Sequence, residues 1–216
     1  MTTFDCSDPI ERRAGLEAAA HAATSGHLVV LPTDTVYGIG ADAFNAAAVR
    51  ALLAAKGRGP DMPVPVLVGS WTTIDGLVMA VPPVASTLVE AFWPGGLSLV
   101  VEHAPSLQWD LGDAKGTVML RMPLHPVAID LLRLVGPMAV SSANRSGNPP
   151  ATTAADAQAQ LGEQVSVYLD GGPSPIGVAS TVVDVTGEIP RVLRVGAVPL
   201  DRLRDVVGAV EDATAR

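Results

Sequence analysis

Apolar residues in this chain fall into two recurring arrangements: short unbroken runs, and longer stretches with apolar positions three and four apart. Both are bounded by glycine, proline or small polar residues. The runs predict buried strands at residues 27–31, between Gly26 and Pro32, and at 64–68, 97–101, 117–121, 138–141, 165–169, 181–185 and 192–195. The spaced stretches predict helices. One starts at Asp8-Pro9 and stops at Gly26, and a second, Ala46 to Ala55, lies between an Asn45 cap and Gly57. Others run from Pro82 to Phe92, Pro126 to Leu134, Thr153 to Leu161 and Pro199 to Val207. Strand and helix signals alternate, yet several strands follow one another too closely for a crossover helix. The expected fold is α/β, an open, twisted, mixed sheet flanked by helices.

Composition narrows the function. Of the 216 residues 48% are hydrophobic and 17% charged, the balance of a packed domain rather than a disordered chain. A single domain over residues 1–210 is expected, with a polar tail at 211–216 that frays. A net charge of -8 argues against nonspecific nucleic-acid binding, which depends on many cations at backbone phosphates. The single cysteine, Cys6, can form neither an intramolecular disulfide nor a thiolate metal cluster, so a cytoplasmic location is expected. The N-terminus lacks the features of a signal peptide, and the apolar runs are too short to cross a bilayer, so no membrane association is expected. His21, His27, His103 and His125 are isolated and lack metal-ligand spacing.

Several loops carry candidate chemistry. Pro32-Thr33-Asp34-Thr35-Val36-Tyr37-Gly38 follows a predicted strand, where open α/β sheets place ligands, although a turn satisfying its own backbone reads the same way. Lys56-Gly57-Arg58 sets one of only two lysines beside an arginine just past a helix. That pair suits polyphosphate, or simply complements the helix dipole. Ser141 to Pro150 is rich in hydroxyls and amides that can donate to phosphate oxygens, and equally reads as a polar loop. Asp170-Gly171-Gly172 precedes Ser180-Thr181-Val182-Val183-Asp184, and Arg191 and Arg194 lie on opposite faces of a strand, so one of them is expected to face the cleft. There is no Gly-rich P-loop, no Gly-x-Ser-x-Gly elbow and no serine next to a histidine.

Taken in order, PTDTVYG at Pro32, Lys-x-Arg at Lys56, Arg-Met-Pro at Arg121, Ser-Ala-Asn-x-Ser-Gly at Ser142, Ser-Thr-Val-Val-Asp at Ser180 and Leu-Arg-x-Gly at Leu193 resemble the YrdC-like family of threonylcarbamoyl-AMP synthases. The resemblance implies a YrdC-like fold in its short form. It also implies a reaction that turns L-threonine, bicarbonate and ATP into threonylcarbamoyl-AMP and pyrophosphate, for modification of adenosine 37 in tRNA. Lys56 and Arg58 would be catalytic. Together with Pro60, Ser142, Asn144, Pro150 and Arg194 they would bind ATP; Thr33, Thr117, Val140 and Ser180 would bind threonine. Mg²⁺ would enter on the nucleotide phosphates, and the product would pass to a tRNA threonylcarbamoyl transferase.

Two positions depart from the family pattern. Met62 stands where many relatives have lysine, which removes a positive charge, and Arg145 occupies a position that is often apolar, where it could compensate. The rival readings are an RNA-binding module without catalysis and another carbamoyl transferase on the same fold.

Overall fold

The computed structural model describes residues 1–59 and 61–214. Strand β1 (Thr2–Asp5) leads to helix α1 (Pro9–Thr24), whose first N–H groups, on Ile10 and Glu11, donate to the Asp8 carboxylate. β2 (Val29–Leu31) and β3 (Gly38–Asp42) flank the PTDTVYG loop. α2 (Ala46–Lys56) then runs from an Asn45 cap to Gly57, which takes a left-handed φ of 68°. β4 (Val66–Leu67), a 3₁₀ turn at Trp71–Gly76 and α3 (Pro83–Phe92) follow, and then β5 (Leu97–Glu102), β6 (Thr117–Arg121), α4 (Pro126–Val135) and β7 (Met138–Ser142). The remainder comprises α5 (Ala154–Leu161), β8 (Val167–Asp170), β9 (Thr181–Asp184), β10 (Arg191–Arg194), α6 (Leu200–Val207) and β11 (Glu211–Asp212).

All the described strands join one sheet, in the order β1-β8-β2-β3-β7-β4-β6-β5-β9-β10-β11. Parallel and antiparallel pairs mix, as the short connections predicted: β8 runs parallel to β2, whereas β3 lies antiparallel to both β2 and β7. Period-2 alternation divides the core in two. Val29, Leu31, Met138, Val140, Val167 and Leu169 pack against α1 and α4, whereas Val30, Ala139 and Tyr168 face the larger cluster under α2, α3, α5 and α6. A helix layer therefore covers each face.

The structure adds strands that the apolar pattern did not predict. β3 carries Gly38 and Gly40 on its α1/α4 face, and a Cβ at Gly38 would lie 2.5 Å from Val140 Cγ1. That close approach requires glycine, and glycine erases the alternation that announces a strand. β1 is mostly exposed and polar, so it too lacks the signal. The tail differs from expectation at its start: Glu211 and Asp212 pair in parallel with Arg191 and Val192 of β10 instead of fraying.

Candidate active site

A cleft opens beside the centre of the sheet, built from the β2–β3 loop, the segment before β4, β5 to β7, the residue run into β9 and the end of β10. Thr33, Arg58, Val140, Ser142, Ser180 and Arg194 line it, six of the residues expected there. Arg191 lies elsewhere, 3.7 Å from Asp184, so of the two strand arginines it is Arg194 that faces the cleft. Arg121, Ser98, Thr35 and Met119 also line it and had no assigned role. Arg121 lay inside a quoted motif. Ser98 left a trace as a lone polar residue within the apolar run of β5.

Arg121 organises the wall formed by the β2–β3 loop. It is 6% exposed, and its guanidinium donates to Gly95 O (2.8 Å), Thr35 Oγ1 (2.8 Å) and Asp34 Oδ1 (2.6 Å). Thr33 Oγ1 donates to Val36 O at 2.6 Å, so the Thr35 hydroxyl, 3.1 Å away, must be the donor to Thr33. Thr33 also accepts the Thr35 N–H at 3.2 Å. Its hydroxyl is thus saturated, and its methyl group is what remains to offer a ligand.

Tyr37 is fully buried. Its hydroxyl donates to Gly172 O (2.6 Å) and accepts from Gly171 N (3.0 Å), which pins the PTDTVYG loop to the Asp170-Gly171-Gly172 loop. Burial pushes the phenol above its ordinary pKa, so it stays a neutral donor.

Other expected residues stand outside the lining. Lys56 is 1% exposed and lies beneath the Ser142–Ser146 loop, with its ammonium donating to the carbonyls of Ser142 and Asn144, the latter at 2.8 Å. It nevertheless lies 3.4 Å from Ser142 Oγ, so its charge sits one atom behind the cleft wall. Asn144 is buried and fully used by the loop: Nδ2 donates to the carbonyls of Arg145 and Asn148, and Oδ1 accepts from Lys56. Thr117 donates to Ala114 O at 2.7 Å, two residues along β6 from Met119 and so about 7 Å beyond the lining. Pro150 is exposed and does not line the cleft, and Pro60 lies outside the described residues. Arg145 is exposed and borders a separate depression with Gln160 and Glu163, outside the cleft lining.

The local charge runs opposite to the protein's. Arg58, Arg121 and Arg194 line the cleft in a chain of net charge -8, and no carboxylate is among the lining residues. Burial lowers the pKa of both Arg121 and Arg194, and ion pairing with Asp34 opposes the shift at Arg121. Among the described residues no group of three or more His, Cys, Asp and Glu could hold a metal ion.

The Sua5/YciO/YrdC family model, which carries the description "Telomere recombination", matches residues 21–196. The chain belongs to the Sua5/YciO/YrdC family. Within that family it is similar to a Mycobacterium tuberculosis protein, 66% identical over 206 residues that make up 95% of each chain. The threonylcarbamoyl-AMP synthase of Pyrococcus abyssi is 37% identical over 196 residues, 90% of this chain and 58% of that protein. P. abyssi Sua5 complexed with L-threonine superposes with a TM-score of 0.91 at 34% identity, covering 98% of this chain. The chain spans 62% of that Sua5 chain. In this Sua5/YciO/YrdC member, then, a guanidinium-lined cleft sits in a fold that a solved relative holds with an amino acid bound.

Proposed function

We propose that the chain is a threonylcarbamoyl-AMP synthase, which converts L-threonine, bicarbonate and ATP to threonylcarbamoyl-AMP and pyrophosphate for the modification of tRNA adenosine 37. The observation that carries this reading is the cleft itself, three guanidiniums and a set of hydroxyls with no activated protein nucleophile. Threonine's amine and bicarbonate condense to a carbamate and water. A carbamate oxygen attacks the α-phosphorus, the bond to the bridging oxygen breaks, and its electron pair leaves on pyrophosphate. Such a transfer needs alignment and neutralisation of charge rather than covalent catalysis.

Arg58 and Arg194 take the phosphates, and Lys56 supports them from behind Ser142. Arg121, fixed through three of its N–H groups, offers the rest to the amino-acid carboxylate. The Thr33 methyl, Val140 and Ser180 shape the threonine pocket. A Mg²⁺ ion would arrive on the nucleotide phosphates and neutralise part of their charge, and the Ser142 hydroxyl is the protein group that would meet it. The chain acts as one catalytic domain in the cytoplasm and passes the product to a tRNA threonylcarbamoyl transferase. No helix among the described residues is long and apolar enough to cross a membrane.

Pyrophosphate release from ATP and Mg²⁺, with threonine and bicarbonate omitted in turn, tests the reading. Release that needs both and collapses in Arg194→Ala supports it; release indifferent to threonine refutes it.

A further inference from the structure

Two hydroxyl pairs face the cleft, and their protons separate them. In the Thr33–Thr35 pair both O–H groups have acceptors within the protein: Thr35 donates to Thr33, and Thr33 to Val36 O. The Ser98–Ser180 pair is open. Its two oxygens lie 2.8 Å apart, Arg194 Nη2 donates to Ser180 Oγ at 3.1 Å, and Arg194 Nε donates to the Ser180 carbonyl at 3.0 Å. One hydrogen suffices for the bond between the two oxygens. Neither hydroxyl has a second acceptor among the described residues, so one O–H is left for a ligand.

Burial indicates which one. Ser98 is 2% exposed on β5, whereas Ser180, 7% exposed, stands where the chain enters β9. Arg194 already donates to Ser180 Oγ; if the more deeply buried Ser98 supplies the hydrogen between the two oxygens, both lone pairs of Ser180 Oγ are filled and its own hydrogen points outward. Arg194 uses two N–H groups on Ser180, and its guanidinium lines the same cleft. An outward O–H next to an unsatisfied guanidinium fits an anionic oxygen, from either a carboxylate or a phosphate.

We propose that Ser98 is a positioning residue: by donating to Ser180 Oγ it turns the Ser180 hydroxyl outward as a fixed donor to an anionic substrate oxygen. This rests on the synthase reading above. The hydrogen bond that Ser98 makes is lost in Ser98→Ala. Ser180 is then free to rotate its hydrogen away, while its oxygen and Arg194 remain.

The test is a double-mutant cycle on purified full-length protein, with L-threonine and ATP affinities read separately by calorimetry and KM and kcat read from pyrophosphate release. Ser98→Ala is expected to weaken one substrate about 3- to 10-fold, and Ser180→Ala to weaken the same substrate roughly tenfold or more. In the Ser180→Ala background the Ser98 change should then matter by less than about twofold, because its route is gone. Ser98→Thr, which keeps the hydroxyl, should restore affinity and exclude a general folding defect. Whether threonine or ATP is the substrate weakened identifies the oxygen as carboxylate or phosphate. Wild-type affinity for both in Ser98→Ala, or a Ser98 effect that persists without Ser180, overturns the inference alone. A wild-type protein that binds neither substrate overturns the synthase reading with it.

Discussion

Asp34 and Arg121, 87 residues apart in sequence, meet at 2.6 Å with both side chains less than 10% exposed. Asp34 Oδ1 also accepts the Leu124 N–H at 2.9 Å, so one carboxylate oxygen ties the β2–β3 loop to the end of β6 and to the turn that follows it. Asp34→Ala would leave a guanidinium buried without its counter-charge, a change that costs about 3–5 kcal/mol. Replacing both charges, in Asp34→Leu with Arg121→Met, should recover much of that stability while pyrophosphate release stays abolished. Urea unfolding and turnover, measured on the same preparations, check both halves.

Lys56 predicts a pH dependence. Burial, with repulsion from Arg58, lowers its pKa to about 7 and outweighs the carbonyls that favour its charge. In the unfolded chain the ordinary value is about 10.4. Below about pH 7 both states hold the proton, and the folded state carries the full cost of burying it. Between about pH 7 and 10 the unfolded state binds more protons, so stability rises with pH through this site. The urea midpoint of the wild type should therefore gain on that of Lys56→Met between about pH 6 and 9, and a constant difference would refute the shifted pKa.

Gly196 shows why the chain reads Leu-Arg-x-Gly. A Cβ there would run into the carbonyl oxygen of Ala179 and lie 2.7 Å from the carbonyl carbon of Ser180, backbone atoms that cannot rotate aside. Gly196 N also donates to Thr181 Oγ1 at 2.8 Å. Gly196→Ala should cost about 1–3 kcal/mol and, by displacing Ser180, lower kcat/KM more than its stability loss explains. Thermal unfolding and steady-state kinetics at a temperature well below the transition separate the two effects.

The helices were legible because their caps are local: Asp8, Asn45, Thr153 and Gly57 each do what their side chains, or lack of one, allow. The central strands were legible where both faces are covered and the residues form an apolar run, as in β2 and the Met138–Val140 part of β7. β3 was not, because its packing against Val140 selects glycine. The site divides in the same way. Arg58, Ser142, Ser180 and Arg194 sit in loops or at strand ends where polarity stands out, whereas Ser98 lies within β5 and Arg121, though it ends β6, is buried, and both gain meaning only from partners brought in by the fold. Asn144, in the Ser-Ala-Asn motif, and Thr117, at the start of β6, have suitable side chains, but their hydrogen bonds are taken by neighbouring residues of the chain.

The most direct test of the proposed reaction is to follow the carbon. Purified protein incubated with ATP, Mg²⁺, L-threonine and ¹³C-bicarbonate is quenched and examined by mass spectrometry. The account predicts threonylcarbamoyl-AMP carrying a single heavy carbon, formed in step with pyrophosphate and absent when threonine is withheld. Pyrophosphate accompanied only by AMP, or an adenylate without the label, would contradict it.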